Sequence, residues 1–259
     1  MFWFMRFALK SAWRLKLIVL SALAGLGAGL YLQLRQEQRT WGVVPGDVDR
    51  ALAGDDLVAV PDVEETRSLA MGAPPAAVWP WLVQIGWGRG GWYSYDQLDL
   101  ESQSADTVLA EHQDLAEGDL VPTHPGGGFV ARVVEPDKAL VLYLDSELVE
   151  GQMETAAAES GDEFEAMSAQ AAEGLPGGLQ VAGALGDFAM PEFRASWALV
   201  LEEEPDGSTR LIERMRVWNG QAGLPQQLGQ PLFGLGVFVM TRKHMLGVKE
   251  RAERLAAEA

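Results

Sequence analysis

The stretch QIGWGRGGWYSYDQLDL, Gln84 to Leu100, admits two incompatible readings. Gly86, Gly88 and Gly91 have the G-x-G-x-x-G spacing of a dinucleotide-binding turn, and Asp106 follows where a ribose-binding carboxylate is sought. That turn works only where a buried strand ends at the first glycine and a helix opens at the last, its N-terminus holding the pyrophosphate. The residues upstream, APPAAVWPWLVQI, describe a helix instead. Pro74-Pro75 suits a first helical turn, and Val78, Trp79, Leu82, Val83 and Ile85 form an apolar stripe. Pro80 should kink that helix by removing one hydrogen bond. Downstream, Trp92-Tyr93-Ser94-Tyr95 is too bulky to let a phosphate approach. The glycines therefore build a loop after a helix, and no cofactor is expected.

Working outward, the chain offers strands rather than βα repeats. Thr66 to Met71 precedes the helix; Gly118 to Pro122, Gly128 to Val134, Ala139 to Leu144, Phe193 to Glu203 and Thr209 to Trp218 follow the loop. Pro136-Asp137-Lys138 and Pro205-Asp206-Gly207 are turn signals between them. The last strand alternates Leu211, Glu213, Met215 and Val217 against Ile212, Arg214, Arg216 and Trp218. Pro231 to Ala257 is one long helical pattern, apolar in its first half and charged in its second. Gly234 and Gly236 cost that helix roughly 1 kcal/mol each relative to alanine, which implies close packing or room left for a ligand. This order predicts an α+β domain, about 63–259, with an antiparallel sheet and a long C-terminal helix. An acidic insertion at about 145–192 interrupts the strands. Between Lys138 and Arg194 there are eleven acids and no base, which suits a solvated flap or a protein-contact surface.

The front of the chain has a different character. Leu17 to Leu34 carries no charge over 18 residues, the lower limit for crossing a hydrocarbon core of about 30 Å. Arg6, Lys10 and Arg14 recur every fourth residue before it, leaving Phe2, Trp3, Phe7 and Trp13 for a membrane interface. Residues 1–34 are therefore expected to form an N-terminal transmembrane helix. Its N-terminus would be cytoplasmic and the domain on the far side. A cleaved signal peptide is the alternative. Residues 35–62 are polar and rich in turn signals, and are expected to connect anchor and domain. Beyond residue 40 the chain holds 14 basic and 36 acidic residues, within a formal total of −17. Such a surface repels phosphates, so nucleic acid is excluded as a partner. With no cysteine and only His112, His124 and His244, no metal centre is expected.

The strings RTWGVVPGDVDRALAGDDLV, APPAAVWPWLVQIGWGRGGWYSYDQLD and FVMTRKHMLGVKERAE together resemble the polyketide cyclase/dehydrase and lipid-transport-like proteins of the START/Bet v 1 (SRPBCC) superfamily. The resemblance runs from about Thr40 to the C-terminus, without the acidic insertion. It implies a helix-grip fold, in which the sheet curves around the C-terminal helix and encloses an apolar cavity. The cavity residues would then include Trp79, Trp92, Tyr93, Trp218, Phe233 and Phe238, with Arg89, Tyr95 and Asp96 as orienting polar groups. An Arg89–Asp96 pair locking the loop is the structural alternative for two of these. The expected ligand is a lipid or other hydrophobic small molecule. A cyclase or dehydratase would need an acid–base pair, for which Asp96 with Tyr93 or Arg89 is the local candidate. An anchored interaction domain with a filled core is the third reading. No catalytic residue is assigned.

Overall fold

The computed structural model describes residues 25–27, 29–99, 102–124, 126–160, 192–220 and 224–258. A helix over residues 29–40 (α1) comes first. It is followed by β1 (Val63–Met71), α2 (Pro75–Val83), β2 (Leu120–His124), β3 (Gly127–Glu135), β4 (Ala139–Asp145), α3 (Ser146–Ser160), β5 (Arg194–Glu203), β6 (Thr209–Trp218) and α4 (Leu224–Glu258). The strands form one antiparallel sheet in the order β1-β6-β5-β4-β3-β2. This is the α+β layout expected, and every strand read from the sequence is present. Among the described residues no helix is long and apolar enough to cross a membrane. Half of the run Leu17 to Leu34 lies outside those residues.

Strand register divides the sheet into two faces. Residues paired across β1, β6 and β5, such as Leu69, Leu211 and Leu201, point to the same side because successive side chains alternate. On that inner face Leu140 and Leu142 of β4, Ala131 of β3 and Val121 of β2 join Met71, Leu199 and Leu201 in one core. Met245, Val248 and Ala252 of α4 and Val78, Trp81 and Leu82 of α2 close it from above. Burying side chains of this size contributes roughly 1.5–3 kcal/mol each. The end of α4 is pinned to β1, where Gly72 N–H donates to Glu253 (2.6 Å) and Lys249 Nζ donates to the Ala70 carbonyl (2.7 Å).

The outer face is bound by arginines. Arg214, buried at 2% exposure, donates to the carbonyls of Arg50, Asp47 and Val48, to Thr66 Oγ1 and to Asp55. Arg216 reaches the Asp55 side chain and carbonyl, and Arg210 pairs with Asp47, Glu202 and Glu204. These contacts strap residues 47–59 across the sheet. At the centre of the strap Gly54 has φ +82° and lies so close to Val141 that a Cβ would stand 2.4 Å from it.

Two elements differ in extent from the sequence reading. The C-terminal helix begins at Leu224, seven residues before the expected Pro231, because Pro225 falls in its first turn, where a missing N–H costs little. The first half of the acidic insertion is helical as α3, which anchors to the sheet through Gln152: its amide exchanges hydrogen bonds with the Gly128 backbone (2.9 and 3.0 Å). Residues 161–191 lie outside the described residues. Pro80 sits inside α2, which runs as one helix from Pro75 to Val83.

Candidate functional site

The loop after α2 closes on itself. Gly86 and Gly91 form an antiparallel bridge with reciprocal 3.1 Å hydrogen bonds. Gly91, at φ +75°, is packed so tightly that a Cβ would stand 2.6 Å from the Gln103 carbonyl oxygen. Arg89 folds back over the C-terminus of α2 and donates to the carbonyls of Val83 (2.9 Å), Ile85 (3.2 Å) and His112 (3.4 Å). Those helix-end carbonyls have no partner within the helix, so the guanidinium acts as a cap. Asp96 accepts from Ser104 Oγ at 2.6 Å instead of pairing with Arg89. The loop is thus locked, and by different partners from the Arg89–Asp96 pair considered from sequence.

The fixed loop presents Trp92 to Asp99 toward α4. Between loop, inner sheet face and α4 lies a cavity of about 420 Å³. Its apolar wall is Trp92, Leu98, Phe129, Trp197, Met215 and Met240. Trp92 and Trp197 are stacked with ring centroids 6.0 Å apart. The polar lining is Ser94, Asp99, Thr123, His124, Thr241 and His244.

His244 is buried at 3% exposure. Its Nδ1 lies 2.7 Å from the Trp92 carbonyl oxygen, which can only accept, so Nδ1 carries the proton. Burial holds the ring neutral by lowering its pKa to about 4, against the opposing pull of that hydrogen bond. Nε2 is then an unprotonated acceptor, and it has no hydrogen-bond partner among the described residues. Asp99 is raised to about 6, first by burial and second by the neighbouring Asp96 charge, and its Oδ2 is also buried without a partner.

Beside Trp197 and Met215 on the inner face is a buried ionic group. Trp197 Nε1 donates to Glu213 Oε1 at 2.7 Å, and Arg67 lies between Glu213 (3.5 Å) and Glu65. Burial raises the Glu213 pKa, and the Arg67 charge opposes this. Arg67 also donates to the Gln38 carbonyl of α1 at 2.7 Å.

Of the residues expected around a ligand, Trp92 lines the cavity. Tyr93 lies one layer behind, its hydroxyl accepting from Gln84 Nε2 (2.9 Å) and its ring stacked on His244 (6.1 Å). Gly247 of α4 allows this, since a Cβ there would stand 2.3 Å from the Tyr93 carbonyl oxygen. Trp79 packs against the core from α2, and Tyr95 is exposed. Phe238 lies under the Arg67 guanidinium, 5.5 Å from its ring centroid. Trp218 pairs with Arg194 and sits on the outer face, one residue out of phase with Trp197 and Met215. The Phe233 side chain lies outside the described residues.

Sequence reasoning missed Trp197, Met215, Asp99 and His244. The signal for two of them was present: Met215 is on the apolar phase of β6, and Trp197 shares its phase on β5. Met240, Thr241 and His244 have the i, i+1, i+4 spacing of one helix face. Among the described residues no cluster of three or more His, Asp or Glu could hold a metal ion.

No family model matches the chain, and neither does any curated protein sequence. Solved structures similar to it include a protein from Mesorhizobium loti at 11% identity, covering 74% of this chain and 98% of that one with a TM-score of 0.34. An uncharacterized protein from Rhizobium leguminosarum has 14% identity over 74% of this chain and 95% of its own, with a TM-score of 0.31. Ara h 8.0201 has 16% identity over 76% of this chain and 99% of its own, with a TM-score of 0.27. No residue role is transferred from these proteins; the strand order and the placement of α4 on the inner face define the fold here.

Proposed function

We propose that this chain binds a hydrophobic small molecule in the cavity between loop, sheet and α4, close to a membrane that holds its N-terminal segment. The observation that carries this reading is the 420 Å³ cavity with an aromatic and methionine wall, within the range of small-molecule sites. The uncharged run before residue 35 supports the membrane part, because apolar ligands concentrate in bilayers. Native mass spectrometry with lipid extraction tests it on the full chain purified from its host in nanodiscs. A co-purifying apolar molecule, lost in Trp197→Glu protein that still melts cooperatively, is the expected result. An empty cavity that also takes up no hydrophobic fluorophore would refute the reading.

One observation favours a second reading, proton transfer on the bound molecule. His244 on α4 presents a neutral base and Asp99 on the loop a carboxyl near half-protonation at pH 6, both lining the cavity. Incubating the extracted ligand with protein in deuterium oxide distinguishes the two. Deuterium incorporation that Asp99→Asn abolishes would establish catalysis, and an unlabelled ligand would leave binding alone.

A further inference from the structure

The polar atoms of the cavity specify what the ligand must bring, an inference that rests on the cavity being a binding site. The Ser94 hydroxyl donates to the Met240 carbonyl (3.2 Å), Thr241 to that of Val237 (2.8 Å) and Thr123 to that of Gly127 (3.3 Å). These three hydroxyl protons are therefore engaged with the backbone. His124 Nδ1 accepts from the Gly126 N–H at 3.0 Å, which puts the ring proton on Nε2 of an exposed side chain. The two lining atoms buried without a partner are His244 Nε2 and Asp99 Oδ2. Both are acceptors when Asp99 is ionised. Among the described residues no arginine or lysine lines the cavity, and Arg89 is turned onto the Val83 carbonyl at the end of α2. A ligand that displaces water from the cavity and leaves a buried acceptor unmatched loses about 1–3 kcal/mol for each, a cost that a donor on the ligand removes.

We infer that the ligand is an uncharged apolar molecule carrying an O–H or N–H donor, which it gives to His244 Nε2, and that the cavity rejects carboxylates such as fatty-acid anions. A carboxylate brings no proton to His244, finds no arginine or lysine among the described lining residues and meets the negative charge of Asp99. A plain hydrocarbon fits the aromatic wall but leaves both acceptors unmatched. The discrimination lies in donor count as much as in shape.

Three probes of one shape separate these cases: 2-naphthol, 2-methylnaphthalene and 2-naphthoate. Each is titrated calorimetrically near pH 7.5 into the full chain in phosphatidylcholine nanodiscs, with empty nanodiscs subtracted. The expected result is naphthol binding about tenfold or more tighter than either of the others. His244→Phe should bring naphthol down to the level of methylnaphthalene while methylnaphthalene still binds. Asp99→Asn, on the loop, should narrow the gap between naphthol and naphthoate. Naphthoate binding as tightly as naphthol, or a naphthol preference that survives His244→Phe, overturns the inference and leaves the cavity reading standing. Should His244→Phe not fold, an unchanged naphthol-to-naphthoate ratio in Asp99→Asn overturns it. Binding of none of the three by the unmodified chain sinks the cavity reading, and this inference with it.

Discussion

The two faces of the sheet are made by the same strands, one residue out of phase, and they solve opposite problems. The outer face has Arg210, Arg214 and Arg216, and each guanidinium is matched to carboxylates or carbonyls of the strap over residues 47–59. Its polar groups serve cohesion. The inner face has an apolar core at one end and, at the other, a cavity whose lining leaves two acceptors unmatched. Reception is thus confined to the inner face, which shares in cohesion through the core and the Arg67–Glu213 pair. A substitution on the outer face should change stability without changing binding, whereas one packed behind the cavity should change both.

The largest effect should come from the strap. Arg214→Met takes one of two guanidinium partners from Asp55 and leaves three backbone carbonyls without their donor, and should cost about 3 kcal/mol in urea unfolding. Ligand affinity of the molecules that remain folded should stay as it was; a matching loss of affinity would show that the faces are not independent. Gly247→Ala tests the inner side. The added Cβ must displace Tyr93, and overpacking of this kind costs about 1–3 kcal/mol. Because Tyr93 adjoins Trp92 and stacks on His244, affinity should fall along with the thermal midpoint, unlike in Arg214→Met.

The smallest effect is in pH dependence. Asp99 is raised in the folded state, so between about pH 4 and 6 the folded chain holds the proton more firmly than the unfolded one, and stability falls as pH rises. His244 is lowered, so between about pH 4 and 6.5 the unfolded chain binds more protons, and stability rises with pH. The two slopes oppose each other within one cavity, with Asp96 adding its charge to Asp99. Asp99→Asn removes the falling slope, so its stability relative to the unmodified chain should increase from pH 4.5 to pH 7.5 in parallel urea titrations. A constant difference would show that Asp99 is hydrated.

What the sequence made legible follows the same division. Alternation in Thr209 to Trp218 and the turn at Pro205-Asp206-Gly207 define the β5–β6 hairpin, with the last strand correct to the residue. Alternation does not say which phase faces inward. Trp218 was the larger side chain on its phase, but Arg214 and Arg216 on that phase needed the strap's acceptors, which placed Trp218 outside. The strap itself has no hydrophobic period, because it is attached through its backbone carbonyls, which no sequence pattern displays. The loop was legible in outline: Gly86 to Gly91 follows a helix and carries Trp92 into the cavity. His244 acquires its chemistry from burial and the Trp92 carbonyl, and Asp99 from burial and the Asp96 charge, so burial by the rest of the fold decides both.

The contact between Arg67 and the Gln38 carbonyl has a mechanical consequence. Arg39 Nη2 donates to the Glu64 carbonyl, the Trp41 carbonyl accepts from Ser68 N–H, and Arg242 lies over the Trp41 ring. The chain therefore passes from α1 into the sheet with no free hinge between them. Helix α1 is thus fixed to the domain as a bracket rather than a leash. The mouth of the cavity keeps one direction relative to that helix.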